Sequence, residues 1–395
     1  MQVLNERQLD IWYAGRTVFG AGAVERVGEV VGDLGVRRTF VVSDPGVAAS
    51  GALDAVRGSL EAAGLAVEAY TAVTPNPTTR DIEAGSVALA DFGTEGAAVV
   101  AVGGGSSMDA AKGISLHATN PGSVLNLDYR NTRILPGLPV VAVPTTSGTG
   151  SETNGFGVIL DPASARKFYL GQASARPKVA VLDPLLTLGL PPAPTAATGI
   201  DALTHALESL MSRNSNAYAD GLALQVVRMV ARWLPVAVGD GGDVEARSQM
   251  LLAAHLAGLA FSSGTGLGLA HALAHSISAR LDVAHGVALA AVLPQVMTFN
   301  LPTSTRELAF AALSLGVSDP DASEEANAHA AVAATETLVT AVMGRQSLAG
   351  FGVTADLLPS LVRDTIEDGV IANTPRMPSP EEVEGLLRML FEERA

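Results

Sequence analysis

Four of the chain's seven histidines recur at helical spacing together with one aspartate. Asp201 and His205 are four residues apart, as are His271 and His275, so each pair lies on one face of a helix, and His285 follows soon after. Imidazole nitrogen and carboxylate oxygen are ligands of divalent metals such as Fe(II) and Zn(II). The alternative is a set of buried histidines, each with its own partner. Because an unpaired buried polar group costs about 1–3 kcal/mol, one shared metal ion is the simpler interpretation.

A second candidate site begins with three consecutive glycines after an apolar run at 97–102. Glycines let the backbone approach a phosphate closely, and the helix predicted to follow offers free N–H groups and a favourable dipole at its N-terminus. The sequence is neither a GxGxxG nor a Walker motif. The alternative is a tight strand-to-helix turn without a ligand. The residues concerned are Gly103, Gly104, Gly105 and Ser106, with Asp109 and Lys112 further along the same helix.

A hydroxyl-rich loop follows the next predicted strand. Its candidate contacts are Thr145, Thr146, Thr149 and Ser151. These hydroxyls either contact a ligand or cap the backbone of their own loop. Two such loops at strand ends favour a dinucleotide. Asp44 also ends a strand, where an acidic side chain can bind a ribose 2′-OH and favour NAD over NADP, although an Asp-Pro-Gly turn explains it equally well.

The elements that must hold these loops are predicted to form a sheet. Short β-rich runs at 17–19, 39–42, 66–70, 97–102 and 139–143 alternate with helical stretches at 23–34 and 53–63. This alternation predicts an α/β domain with a mostly parallel sheet, whose ligands bind beyond the carboxyl ends of the strands. A rigid turn at 74–79 precedes a further helix, for which Thr79 or Asp81 is the predicted cap.

From about Thr195 the pattern changes to long amphipathic stretches rich in Ala and Leu. Helices are predicted at 200–212, 217–236, 244–261, 267–280, 303–316, 322–343, 354–366 and 380–394. We therefore predict two domains. Residues 1–192 form the α/β dinucleotide-binding domain, and residues 193–395 form an all-helical domain that holds the metal site.

Composition excludes several classes of function. The net charge of −15 argues against a nucleic-acid partner or an anionic membrane surface, since both require a basic footprint. The absence of Cys excludes disulfides and thiolate ligands. There is no uninterrupted run of 18 apolar residues and no signal-peptide pattern, so we expect a cytoplasmic protein without a membrane partner. Low charge and few aromatics also suggest surface buried between subunits, in a homodimer or a higher homo-oligomer.

Taken together, these motifs resemble those of the iron-containing (group III) alcohol dehydrogenases, over essentially the whole chain. The matching stretches are Phe19–Gly22, Pro75–Thr78, the glycine loop through Asp109 and Lys112, Pro144–Glu152, Asp183-Pro184, Asp201–His205, and His271, His275 and His285-Gly286. The chain departs from the family's pattern at 262–266, which is one residue longer than in many relatives, and after Gly286. Both departures lie near the expected substrate pocket.

The resemblance implies the architecture shared with dehydroquinate synthase, with a cleft between an α/β domain and an all-α domain. It assigns a divalent metal, Fe(II) or Zn(II), to a set of four ligands, and it places His275 beside the substrate and the nicotinamide as a proton-relay group. The implied ligands are Asp201, His205, His271 and His285. The candidate NAD(H)-binding residues are Asp44, Asn76, Gly103, Gly104, Gly105, Ser106, Asp109, Lys112, Thr145, Thr146, Thr149 and Ser151.

The predicted activity is therefore metal-assisted hydride transfer between a small primary alcohol, or its aldehyde, and nicotinamide. Three alternatives stay open. A dehydroquinate synthase-like lyase would need Lys and Arg for a phosphorylated substrate, and the motif regions are poor in both. A hydroxyacid-oxoacid transhydrogenase would keep NAD tightly bound. A regulatory nucleotide-binding protein would bind NAD without turnover.

Overall fold

In a computed structural model of the protein, residues 15–164 and 166–392 are described. Six strands form one parallel sheet with the order β1-β8-β5-β4-β2-β3. Its strands are β1 (Arg16–Phe19), β2 (Arg38–Val42), β3 (Ala66–Tyr70), β4 (Ala97–Gly103), β5 (Val140–Pro144) and β8 (Val179–Leu182). Every residue of β4 and β5 is buried, as expected for central parallel strands covered on both faces. The predicted fold class is confirmed.

The helices on the two faces of this sheet follow the predicted alternation with local corrections. They are α1 (Val27–Gly32), α2 (Pro45–Ser50), α3 (Ala52–Ala62), α4 (Thr79–Phe92) and α5 (Gly105–His117). The single helix predicted at 23–34 is divided into a 3₁₀ turn, Ala23–Arg26, and α1. Thr78, rather than Thr79, caps α4, and its side chain forms a capping box with Asp81.

An antiparallel hairpin between the sheet and the helical part was not predicted. It consists of β6 (Phe156–Asp161) and β7 (Arg166–Gly171). Its strands are only partly buried. Lys167 and Tyr169 alternate with Phe168 on β7 and share one face of the strand, the face that lines the cleft.

Eight helices form the second part of the described chain. They are α6 (Pro192–Met211), α7 (Ala217–Gly239), α8 (Val244–Ala260), α9 (Leu269–Leu281), α10 (His285–Leu315), α11 (Glu324–Met343), α12 (Leu358–Glu367) and α13 (Pro380–Glu392). The predicted domain boundary falls in the first turn of α6, where Pro192 occupies a position that tolerates proline. The helix predicted at 303–316 is the second half of α10, which begins much earlier, at His285, and bends at Ser304.

Two of these helices, α7 and α10, are long and apolar enough to span a membrane by length and composition, and the bent pair α8–α9 would give a third span. In the structure, buried side chains of α7 and α10 belong to one hydrophobic cluster with those of α6 and α8; Val226, Val230, Leu293 and Met297 are examples. The apolar side chains of these helices therefore contribute to the core of the helical domain.

The two parts of the chain meet through buried polar and apolar contacts. Ala180 and Leu182 of β8 pack against Leu251 of α8. His255 of α8 is buried, and its two ring nitrogens contact Glu152 Oε1 at 3.0 Å and Thr17 Oγ1 at 3.1 Å. The cleft between the two parts is lined by Gly105, Ser106 and Thr149 from the first part and by Asp201, His205 and His271 from the second.

Candidate active site

Three imidazoles from three helices converge on one carboxylate oxygen of Asp201 in the helical domain. Asp201 and His205 lie on α6, His271 lies on α9, and His285 is the first residue of α10. The Nε2 atoms of the three histidines lie 3.3, 3.6 and 3.8 Å from Oδ1 of Asp201, in the order His205, His271, His285. The structure thus brings together the four residues that the resemblance assigned to a metal.

The chemistry of this cluster fits a divalent metal ion. Asp201 Oδ1 and His271 Nε2 are buried, and neither has a hydrogen-bond partner among the described residues. Asp201, His271 and His285 each present a ligand atom, and these atoms lie within 4.8 Å of one another. Three imidazoles and one carboxylate form a donor set that suits iron or zinc. The unpartnered atoms and the donor set are therefore both accounted for by a bound cation.

The pKa values of three residues in this cluster favour the binding of a cation. Burial would raise the pKa of Asp201, but the attraction of the neighbouring imidazoles holds it far below its ordinary value. Burial lowers the pKa of His205 to about 4 and that of His285 well below its ordinary value, with Asp201 opposing both shifts. The Asp201 carboxylate is therefore ionised and the imidazoles of His205 and His285 are neutral, which are the protonation states that metal binding requires of these three ligands.

A buried carboxylate that sequence reasoning missed lies behind His271. Oε2 of Glu208 is 2.6 Å from Nδ1 of His271, and the same carboxylate accepts the backbone N–H groups of Gly268 and Ala270 at 2.8 and 2.6 Å. Burial lowers the pKa of His271, but Glu208 and Asp201 raise it to about 9. A signal was present in the sequence, because Glu208 follows Asp201 by seven residues, two turns along the same helix face.

His275 lies beside the proposed metal ligands, and its Nδ1 atom contacts Asp368 and Tyr169. Its Nδ1 is 2.9 Å from Oδ2 of Asp368 and 3.0 Å from the Tyr169 hydroxyl, which donates to Oδ1 of Asp368 at 2.8 Å. Its ring stacks on that of His285, with centroids 5.1 Å apart. Burial lowers the pKa of His275, and Asp368 opposes this shift. Asp368 and Tyr169 were missed, since no local motif marks either of them.

The glycine loop and the threonine loop pack directly on each other. A Cβ atom at Gly105 would lie 2.7 Å from Cγ2 of Thr149, and one at Gly104 would lie 3.2 Å from the side chain of Thr146. Only glycine therefore permits this approach. α5 begins at Gly105, and no side chain caps its first turn, so the N–H groups of that turn stay available. Of the predicted contacts, Gly105, Ser106 and Thr149 line the cleft, whereas Gly103 and Thr145 are buried.

Asp44 ends β2 next to the glycine loop. One of its oxygens accepts the Val47 N–H as the cap of α2, and the other accepts the Ser107 hydroxyl at 2.9 Å. The structure confirms that Asp44 is a turn residue, and it places Asp44 beside the glycine loop. Its contact with a cofactor stays a prediction.

Three residues assigned to the cofactor, Asp109, Lys112 and Ser151, have protein partners, and two of them, Asp109 and Ser151, also line the cleft. Lys112 is completely buried, and its ammonium donates to Ser151 Oγ, Asn154 Oδ1 and the Phe156 carbonyl. Ser151 in turn donates to Asp109 at 2.6 Å. Since an ammonium has three donors, Lys112 has none left for a ligand, and the prediction of a direct contact is corrected to a supporting position beneath the loop. Burial lowers its pKa to about 8.

Asn76 bridges the two domains. Its amide nitrogen donates to Asp282 at the end of α9, 3.0 Å away, and its amide oxygen accepts from Lys167 at 3.3 Å. Asn76 also lines the cleft. Both ends of its amide are engaged, so its first role in the structure is to tie the turn before α4 to the helical domain.

The cleft between the domains has a volume of about 450 Å³ and runs from the glycine loop to the metal cluster. Its apolar lining comes from both parts of the chain, with Tyr129 and Phe156 from the first and Phe261, Leu267 and Val370 from the second. Phe261 begins a π-helical segment, Phe261–Thr265, and its ring lies 4.8 Å from that of His205. This is the segment in which the sequence departs from the family's pattern.

Comparison with known proteins agrees with this geometry. The family model for iron-containing alcohol dehydrogenase matches residues 14–184, and the model for the C-terminal part of the Fe-containing alcohol dehydrogenase family matches residues 195–391. The chain belongs to the iron-containing alcohol dehydrogenase family. The prediction of an oxidoreductase of this family, acting on CH–OH groups, is confirmed.

Individual relatives cover nearly the full chain. A probable alcohol dehydrogenase, EutG, of Escherichia coli is 38 % identical over 94 % of this chain and 91 % of its own length. An NAD-dependent methanol dehydrogenase of Bacillus methanolicus is 32 % identical over 94 % of this chain and 97 % of its own. The crystal structure of a 1,3-propanediol oxidoreductase superposes with a TM-score of 0.94 at 34 % identity, over 98 % of this chain and all of the other.

Proposed function

We propose that the protein is a metal- and NAD(H)-dependent dehydrogenase that interconverts a small primary alcohol and its aldehyde. The observation that carries the proposal is the convergence of three imidazole nitrogens on Asp201 Oδ1 in the same cleft that the glycine loop lines. The named NAD-dependent methanol dehydrogenase supports the choice of cofactor.

The proposed metal ligands are Asp201, His205, His271 and His285. When bound, the divalent ion, Fe(II) or Zn(II), supplies a Lewis acid that lowers the pKa of the alcohol, and NAD supplies the hydride acceptor. Asp201 contributes the only negative charge of the four side chains. Glu208 fixes the ring of His271 by accepting its Nδ1–H, which leaves Nε2 directed at Asp201.

His275 is the proposed proton-relay residue. Its Nδ1 faces Asp368, so Nε2 is the nitrogen that exchanges a proton with the substrate hydroxyl. In alcohol oxidation this nitrogen accepts the proton, and in aldehyde reduction it returns it. His275 is distinguished from the four ligands by its two contacts at Nδ1.

The proposed cofactor site combines backbone and hydroxyl groups of the α/β domain. Uncapped N–H groups at the start of α5 suit the pyrophosphate of a dinucleotide. Asp44 suits the adenosine ribose and would repel a 2′-phosphate, which favours NAD over NADP. The groups proposed to contact the cofactor are Asp44, Asn76, Gly103, Gly104, Gly105, Ser106, Thr145, Thr146 and Thr149, with Asp109, Lys112 and Ser151 holding the loops.

The apolar lining of the cleft suits a small alcohol without further polar groups. Two of the polar side chains that line the cleft already have protein partners. Asn373 donates to the Leu267 and Val370 carbonyls, and Asn154 accepts from Lys112. A second hydroxyl on the substrate would therefore meet few free donors or acceptors. We infer that simple primary alcohols are better substrates than polyols.

The test is NAD reduction by the purified protein with a panel of small primary alcohols and diols. The protein is stripped with a chelator and resupplied anaerobically with Fe(II), Zn(II) or Mn(II). Metal-dependent reduction supports the proposal and ranks the metals. Activity that survives complete metal removal would contradict the metal mechanism. NAD that stays bound through purification without net turnover would favour the transhydrogenase or a protein that binds NAD without catalysis.

Assembly and location are further proposals. The helical domain exposes large apolar side chains, among them Leu313 with 69 % and Phe310 with 45 % of its surface accessible. Such side chains suit an interface between copies of the chain. We propose a cytoplasmic homodimer or higher homo-oligomer, which light scattering of the purified protein would test.

A further inference from the structure

His275 is held in place by two groups that come from opposite sides of the cleft. Asp368 lies just after α12 in the helical domain, and Tyr169 lies on β7 of the hairpin. One assignment of hydrogens satisfies all three short contacts. The Tyr169 hydroxyl has a single hydrogen and donates it to Asp368 Oδ1, and His275 donates its Nδ1–H to Asp368 Oδ2. The Tyr169 oxygen is then a second acceptor for the same N–H.

This assignment determines the tautomer of the ring. With the proton on Nδ1, the lone pair of the neutral imidazole is on Nε2, on the opposite side of the ring from Asp368. A carboxylate that accepts from one ring nitrogen also resists rotation of the ring. His275 is thus presented to the cleft as a proton acceptor in a fixed direction.

The Asp368 carboxylate is itself held in place by a backbone hydrogen bond. Its Oδ1 accepts the Val370 N–H at 3.1 Å and so caps the 3₁₀ turn Gly369–Asn373. The carboxylate is buried, with 11 % of the side-chain surface accessible. Val370 lines the substrate cleft, so the same cap aligns the apolar lining and the relay histidine.

A second cavity lies behind this group. It has a volume of about 440 Å³ and is lined by Asp128, Arg130, Arg166, Asp364 and Ser276, together with Tyr169, His275 and Asp368. The arginines that line it already have carboxylate partners, Arg130 with Asp128 and Arg166 with Glu367. It is therefore a polar cavity through which water or a small solute reaches the Asp368 carboxylate from the side away from the metal cluster.

We propose that Asp368, supported by Tyr169, is the positioning residue that sets the tautomer and the direction of His275 for proton exchange with the substrate. The proposal rests on the proposed function, because it assigns a role in the same reaction. It differs from a purely structural role because a carboxylate supplied from solution can replace the contact with His275, whereas it cannot rebuild the cap of the turn Gly369–Asn373. Metal binding and the cofactor loops involve other residues.

The test is Asp368→Ala in the metal-loaded enzyme. A displaced catalytic group lowers the rate on the order of 100-fold, so kcat should fall by about that factor while metal content and NADH affinity stay near wild type. Formate should restore part of kcat in this variant, since it fits the space left by the carboxylate and enters through the second cavity. Formate should not activate the wild type.

Asp364→Ala is the matched control. Asp364 lines the same cavity and is paired with Arg280, but it has no contact with His275. Its removal makes the same change of charge and should leave kcat within about twofold and unresponsive to formate. Wild-type kcat in Asp368→Ala, or an equal loss in both variants, would overturn the proposal.

Two further measurements keep the inference independent of folding and of turnover. If Asp368→Ala is unfolded, Tyr169→Phe removes the hydroxyl that donates to Asp368 and contacts His275 Nδ1. This variant should lower kcat about 3- to 10-fold, whereas wild-type kcat would overturn the proposal. The low-field proton resonance of a strongly hydrogen-bonded Nδ1–H should disappear in Asp368→Ala and persist in Asp364→Ala. This signal does not require activity, so a protein without turnover would contradict the proposed function alone.

Discussion

The two walls of the cleft offer different kinds of chemical group to a ligand. On the α/β side the available groups are backbone N–H groups and hydroxyls, which become usable because Gly104 and Gly105 let two loops touch. On the helical side the groups are imidazoles and carboxylates projected from α6, α9 and α10. One wall depends on the absence of side chains, and the other depends on their exact chemical type.

This difference separates the consequences of mutation. Substitutions in the loops should weaken cofactor binding and leave the metal in place, because none of the proposed metal ligands lies in the loops. Changes on the helices should do the reverse. The following predictions test how completely the two walls can be separated.

Asp201→Asn should have the largest effect. It removes the single negative charge that three imidazoles face, and metal assistance supplies several kcal/mol in such reactions. We expect loss of stoichiometric metal and a fall in kcat/KM on the order of 1000-fold. NADH binding, measured by fluorescence titration, should change less than about threefold. Asp220→Asn makes the same change in α7, away from the cleft, and should retain metal. An Asp201→Asn protein with full metal content would contradict the ligand assignment.

Gly105→Val should disrupt the other wall. The new side chain would overlap Thr149, which would force the loops apart. Overpacking of this kind costs about 1–3 kcal/mol, so NADH affinity should fall about 10- to 100-fold in a calorimetric titration. Metal content should be unchanged. Gly58→Val is the control, since a Cβ there meets nothing within 4 Å. Equal loss of affinity in both variants would show that the loop contact is not the cause.

Glu208→Gln should weaken the metal site without abolishing it. The substitution keeps the size of the side chain but removes the charge that orients His271. Loss of such a partner typically lowers metal affinity about 10- to 100-fold. Competition with a chromophoric chelator measures this directly. Unchanged affinity would mean that the N–H groups of Gly268 and Ala270, and not His271, are the partners that matter.

Lys112→Met should have the smallest effect on catalysis. Its ammonium satisfies Ser151, Asn154 and the Phe156 carbonyl beneath the threonine loop. Leaving buried acceptors without a partner should lower the free energy of unfolding by about 1–3 kcal/mol, measured in urea. The KM for NAD should rise a few-fold and kcat should stay within about threefold. A loss of kcat comparable to that of Asp201→Asn would restore the original prediction of a direct ligand contact.

Local sequence patterns predicted most of the fold and drew attention to the histidines around Asp201, whereas the set of four proposed metal ligands came from the family resemblance. Alternating apolar strands and helices gave the sheet, and i, i+4 spacing gave Asp201 with His205 and His271 with His275. Both signals are local, because residues one helical turn apart must share a face. The hairpin β6–β7 and the first half of α10 were missed. Proline at 294 and 302 reads as a helix breaker, but the buried surroundings of α10 keep the helix continuous with one bend.

The environment of His275 could not be predicted in this way. Asp368 is separated from His275 by 93 residues and Tyr169 by 106, so neither contact leaves a spacing signal. Lys112 failed for a related reason. A lysine in a loop motif suggests a phosphate contact, but only the packed structure shows that its ammonium points inward to three oxygens. The spacing of residues in the sequence predicts which of them share one face of a helix. It does not predict which residues from other elements pack against that face.

The π-helical segment Phe261–Thr265 has a consequence for how this pocket can vary. A π turn holds more residues than an α turn, and an extra residue in a continuous helix would rotate everything after it by about 100°. Here Gly264 and Gly266, with φ of 102° and 64°, end the helical path and restart it at α9. The direction of His271 is thereby insulated from the length of the segment before it. The lining around Phe261 can lengthen or shorten, and the enzyme can change the alcohols it admits, while the geometry of the metal ligands is preserved.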